Sequence, residues 1–172
     1  ISVDTTTLTS GVHNCDIQIN SDGWNGIVTV SLNVVLETEL YDQQQTKYDN
    51  KNAAYSSIWI AQSFKPSEDL LTRIELYIDK WGNPPADIVV SIRSSLTGSD
   101  LAVCSKSVGQ IPSTLTWIEF DFNDISVTPE NTYYIVLRTS GGNSFNAYEW
   151  GFGYYTPYVR GSFWKSSNSG SS

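Results

Sequence analysis

The stretch from Ala61 to Val103, AQSFKPSEDLLTRIELYIDKWGNPPADIVVSIRSSLTGSDLAV, constrains the fold more than any other part of the chain. Between Leu70 and Asp79, the residues Ile74, Leu76 and Ile78 share one parity, while Arg73, Glu75, Tyr77 and Asp79 share the other. A period of two marks a strand with one buried and one wet face, because successive side chains point to opposite sides of a sheet. Ile88, Val90 and Ile92 repeat the pattern against Val89, Ser91 and Arg93. Between the two runs stands Trp81-Gly82-Asn83-Pro84-Pro85. Proline fixes φ and lacks a backbone donor, so neither helix nor ladder continues through this cluster. The pattern predicts two antiparallel strands closed by a stiff, aromatic-tipped loop at the centre of an all-β domain.

The same alternation recurs on both sides. Downstream, Ser94–Asp100 reads as a turn and Leu101–Val108 as a strand. Ile118, Phe120 and Phe122 then oppose Trp117, Glu119 and Asp121. Val127–Asn131 is a proline-initiated turn, and Thr132–Thr139, apolar on both parities, reads as a central strand. Upstream, His13, Cys15, Ile17 and Ile19 oppose Asn14, Asp16, Gln18 and Asn20, and Ser21–Gly26 reads as a hairpin connection. On the return strand Val28, Val30, Leu32, Val34 and Leu36 form an inward row. Burying each such side chain contributes roughly 1.5–3 kcal/mol, and a lone hairpin buries none of them. This row is therefore expected to be an assembly face, covered by another copy of the chain or by the rest of the same one. Residues 37–57 are polar, with a short strand expected at Leu40-Tyr41 and then a long loop into Ile58.

Charge and motifs narrow the chemistry. Eighteen acidic and ten basic residues give a net charge of −8, with no Lys/Arg cluster, which argues against nucleic acid or an anionic membrane as partner. No apolar run is long enough for a membrane span, so no direct membrane insertion is expected. The chain contains no Met, as expected of a processed or excised chain. Cys15 and Cys104 fall in different segments and are not expected to bridge, and no Asn-x-Ser/Thr acceptor occurs. His13 is the only histidine, a poor basis for metal or triad chemistry. No Gly-x-Ser-x-Gly elbow or phosphate loop is found, and the carboxylate pairs Glu119/Asp121 and Glu75/Asp79 read as wet-face charge, so catalysis is not expected. Asp42 and Asp49, in a loop with Asn50 and Asn52, are candidate ligands for a structural calcium ion, although none is required for folding. The 172 residues are enough to bury roughly 70% of the unfolded surface unaided.

Six Trp and ten Tyr are the most suggestive part of the composition. Sugar rings carry apolar faces that stack on aromatic planes, with polar neighbours fixing the hydroxyls. Trp81 on its proline-stiffened loop, Tyr154, Tyr155 and Tyr158 beside Arg160, and Trp24 at a hairpin tip are the candidate carbohydrate-binding residues. Trp150, Phe152 and Trp164 read instead as plugs at the ends of a sandwich.

Several segments together, AQSFKPS, LTRIELYIDKWGNPPADIVVSIR, WIEFDF, ISVTPENTYYIVLRTSGG and YEWGFGYYTPYVRGSFW, resemble a jelly-roll module repeated in large secreted and cell-surface proteins of archaea and some bacteria. The resemblance covers about Leu40 to Lys165. It implies a non-catalytic β-sandwich in an extracellular protein, without a consensus ligand site. TTTLTSGVHNCDIQINSDGWNGIVTVSLNVV resembles the closing strands of the immunoglobulin-like repeats that punctuate such proteins. In the resembling modules a further apolar strand follows the final Ser/Asn/Gly turn, so the chain is expected to be cut across domains at both ends. The expected organisation is partial immunoglobulin-like strands at 1–36, a junction and loop at 37–57, a jelly-roll sandwich at 58–165 and a flexible tail at 166–172. Two functions stay open. One is a structural or adhesive building block of a surface assembly or filament, joined by β-strand addition to further copies of itself or to neighbouring surface-protein domains. The other is a carbohydrate-binding module for polysaccharide.

Overall fold

The computed structural model describes residues 11–21, 24–34, 41–155 and 157–171, and the chain divides into two units, Ile1–Tyr41 and Asp42–Ser172. In the first unit, β1 (Gly11–Ser21) and β2 (Trp24–Val34) pair antiparallel from Gly11↔Val34 to Ser21↔Trp24. The ladder runs closer to the turn than the alternation suggested: Asn25 and Gly26 are paired with Asn20 and Ile19. Ile27 is 69% exposed, and Thr29 on the same parity is also exposed. The side chains of the expected assembly row, Val28, Val30, Leu32 and Val34, lie outside the described residues, as does Leu36 altogether.

The described residues of the second unit form nine strands: β3 (Asn50–Ala54), β4 (Trp59–Phe64), β5 (Leu70–Trp81), β6 (Ile88–Arg93), β7 (Asp100–Lys106), β8 (Thr116–Ser126), β9 (Tyr133–Arg138), β10 (Ala147–Phe152) and β11 (Phe163–Ser166). They form two antiparallel sheets, of order β3-β10-β5-β8 and β11-β4-β9-β6-β7. The inward rows of both meet in one core. Ala54, Leu76, Ile78, Phe120 and Tyr148 come from the four-stranded sheet, and Ile60, Ile88, Val90 and Leu137 from the five-stranded one. A second cluster, Phe64, Ile92, Val127 and Tyr133, continues it toward the Pro129 turn. The architecture is all-β and sandwich-like. β9 is the middle strand of its sheet, as its two-sided apolar pattern predicts.

Two local expectations are corrected. First, β5 and β6 are not a hairpin. β5 pairs with β8 and β10, whereas β6 pairs with β7 and β9, so residues 82–87 carry the chain from one sheet to the other. Two consecutive prolines, with Pro84 buried, make this crossing too stiff to fold back into a ladder. Gly82, at φ +66°, passes so close to the Phe145 carbonyl that any side chain there would collide. The strands bury Leu76 and Ile78 against Ile88 and Val90 across the core instead. Second, Asn50–Ala54, placed in the junction loop by its polarity, is strand β3. It lies at a sheet edge, where polar residues such as Lys51 are tolerated and protect against stray pairing. Residues 166–171, in the expected tail, contact the rest of the unit. The Ser169 N–H donates to Ser57 O (2.9 Å), Gly170 N–H donates to Ser166 Oγ (2.9 Å), and Gly170 lies on the Trp59 ring.

Candidate functional site

The outward face of the four-stranded sheet gathers the side chains that alternation left off the core. β5 places Arg73, Glu75, Tyr77, Asp79 and Trp81 there, and β8 places Trp117, Glu119 and Asp121. Tyr77 and Trp117 are register partners, and their ring centroids lie 5.2 Å apart. Tyr48, from the segment preceding β3, covers the other side of Tyr77 at 4.6 Å. A hydrogen bond between the two phenols pushes the Tyr77 hydroxyl above its ordinary value. Position 151 on β10, beside the row, is glycine: a Cβ there would lie in tight contact with the Tyr77 ring, at 3.1 Å, and in ordinary contact with Tyr48 Cβ, at 3.6 Å. The ends of the row, Tyr48 and Trp117, are 49% and 44% exposed.

Trp81 lies on the same parity four residues along β5, roughly 13 Å from Tyr77 at the strand rise, and is 56% exposed. Between them sits a charged cluster. Lys51 Nζ bridges Asp79 (3.0 Å) and Glu149, which are register partners on β5 and β10. Asp79 is 5% exposed, and its Oδ1 has no hydrogen-bond partner among the described residues. Burial pushes its carboxyl up, and the Lys51 ammonium opposes that only in part. Partial burial works against the charge on Lys51, yet the hydrogen bonds to Glu149 and Asp79 hold it above the usual ammonium range. Glu75 stands directly opposite Glu119, a like-charge pairing that costs stability in a ladder. Arg73, 3.2 Å from Glu119, offsets part of that cost. Aromatic rings among carboxylate acceptors suit a ligand with apolar faces and many hydroxyl donors. Among the described residues, no group of three His, Cys, Asp or Glu is placed to hold a metal ion.

The residues singled out by sequence divide. Tyr154 and Tyr155, 64% and 83% exposed, join the site through Asp49, the residue after Tyr48. The Asp49 carboxylate accepts their backbone N–H groups at 2.8 and 3.0 Å, and the two rings meet edge to face. Asp42, the other candidate calcium ligand, accepts from Gln43 Nε2 and from the Ser67 N–H. Tyr158 turns elsewhere: it is half-buried against the second core cluster, and its hydroxyl donates to Gln43 Oε1 at 2.7 Å. Arg160 is tied to Glu130 (2.6 Å) and to Lys65 O. The Trp24 side chain lies outside the described residues. Of the expected plugs, Trp150 packs half-buried against the core and Phe152 stacks on Phe163, but Trp164 is 45% exposed. Tyr48, Tyr77 and Trp117 were missed. The signal for two of them was present, since Tyr77 and Trp117 are large aromatics on the wet parity of alternating strands.

The opposite sheet has a different outer surface. Arg93 and Arg138 lie over the Trp59 ring, at 5.7 and 5.3 Å, and both bind Asp100, at 2.6 and 2.7 Å. Burial pushes the Asp100 carboxyl up, but hydrogen bonds from Arg93 and Ser91 and the two guanidinium charges hold it below the usual range. Beside Trp59 a pocket of about 150 Å³ is lined by Ala61, Leu96, Val136 and Trp164. Among the described residues its lining includes no carboxylate.

The chain matches no protein-family model and no curated protein sequence. The fold and this face define it as an all-β, sandwich-like protein whose smaller sheet presents aromatic rings among carboxylates.

Proposed function

We propose that the protein is a non-catalytic, extracellular jelly-roll module that holds polysaccharide on the outer face of its four-stranded sheet, and so serves as an adhesive building block of a cell surface. The observation that carries this reading is the row Tyr48–Tyr77–Trp117, in which Tyr77 and Trp117 are register partners and both end rings are exposed. The jelly-roll assignment is supported by the two sheet orders, and by a path that changes sheet at every step except β6 to β7. Rings supply contact area at low entropic cost, and the surrounding carboxylates accept from hydroxyls. Affinity electrophoresis through gels containing soluble polysaccharides tests it. Retardation by at least one polymer is the expected result, and unaltered mobility in all of them contradicts the proposal.

A second reading, assembly by strand addition, is favoured by one observation: among the described residues β1 and β2 form a sheet of two strands, each eleven residues long. Such a sheet is marginal without a cover. Light scattering of the full chain should then show oligomers that a chain beginning at Asp42 does not form. Equal, concentration-independent monomer masses for both chains would remove this reading.

A further inference from the structure

Resting on the reading of this face as a polysaccharide site, we propose that it selects uncharged glycan chains and excludes polyanionic ones. Five carboxylates, Glu75, Asp79, Glu119, Asp121 and Glu149, share the outward face with the basic side chains Lys51 and Arg73. Both basic groups are already engaged by carboxylates. Lys51 is held between Asp79 and Glu149, and Arg73 contacts Glu119. Neither offers a full charge to an incoming uronate or sulfate. The net charge of −8 across the whole chain adds to the same repulsion.

The local arrangement sharpens the selection. Glu75 and Glu119 face each other directly across the β5–β8 ladder, one register step along from the Tyr77–Trp117 pair. A sugar stacked on those rings therefore places its substituents beside two carboxylates, one of them paired with Arg73. Hydroxyls would donate to them in charge-assisted hydrogen bonds, which are stronger than neutral ones. A carboxylate or sulfate in the same place would meet repulsion at close range, only partly screened where water is displaced. On the opposite side of the row, Asp79 and Glu149 present the same sign, with Lys51 between them.

Binding of the full chain to soluble polymers at low ionic strength tests the proposal. A mixed-linkage β-glucan, a galactomannan and an arabinoxylan serve as uncharged ligands, and polygalacturonate and heparin as polyanions. The expected result is that at least one neutral polymer binds and both polyanions bind at least ~10-fold more weakly, with the gap narrowing as salt is added. The double variant Glu75→Gln/Glu119→Gln should bind polygalacturonate more tightly than the parent chain. If polygalacturonate binds as tightly as the best neutral polymer, and Trp117→Ala weakens both, charge selection is overturned while the glycan site stands. Failure of every polymer to bind overturns the site itself and the selection with it.

Discussion

Replacing Tyr148 with Ala should lower the unfolding free energy by about 3–5 kcal/mol, the scale of removing a buried aromatic side chain. Tyr148 is fully buried, on the strand that joins β3 to β5, with its ring in the core shared by both sheets. Its hydroxyl donates to Ala86 O at 2.8 Å. The truncation opens a cavity and also leaves that carbonyl without its partner, whereas Tyr148→Phe removes the hydrogen bond alone and should cost about 1 kcal/mol. Burial pushes the phenol up to about 12, from an ordinary value of 10.0. A raised folded-state value contributes stability that is fully present below the unfolded value and is lost as pH climbs through the folded one. Stability should therefore fall between about pH 10 and 12, by roughly 3 kcal/mol from this group, and Tyr148→Phe should flatten that window. Urea unfolding followed by tryptophan fluorescence reads both effects. A loss below about 1 kcal/mol for Tyr148→Ala would place the residue outside the core.

Trp117→Ala is the corresponding test of the site. Loss of one stacking ring typically costs roughly 1–3 kcal/mol, about 5- to 150-fold in affinity, by analogy with aromatic stacking on other planar ligands. Trp117 is 44% exposed on an edge strand, so stability should change by less than about 1 kcal/mol. Trp81→Ala should weaken only ligands long enough to span from Tyr77 along β5, leaving short oligosaccharides unaffected. Calorimetric titration of a length series, alongside melting curves, separates these effects. An unchanged affinity in both variants would remove the aromatic row from recognition.

Much of this was legible in the chain, for physical reasons that differ by residue. Leu76, Ile78 and Phe120 announced their faces because a half-buried strand forces alternation. The partner of a strand is not encoded that way. The β5 and β6 patterns are compatible with a hairpin, and only the stiffness of residues 82–87 and the better-matched length of β8 send them to different sheets. β3 was invisible because an edge strand needs little apolar character. Tyr148 and Trp150 share one inward parity on β10, so alternation could not say which ring lies deeper; the smaller one does. Trp117 and Tyr77 could have been flagged by parity. Tyr48 could not, because it precedes β3 in a polar segment without alternation and meets Tyr77 only through the fold.

The most direct measurement is a nuclear magnetic resonance titration that follows the six tryptophan indole N–H signals, assigned by single Trp→Phe variants, as a neutral oligosaccharide is added to the full chain. Trp117 lies on the outer face of the four-stranded sheet, and Trp59 and Trp164 line the pocket on the five-stranded one. The account predicts saturable shifts at Trp117, joined by Trp81 as the ligand lengthens, with Trp59 and Trp164 unmoved. Shifts confined to Trp59 and Trp164, with Trp117 still, would contradict it.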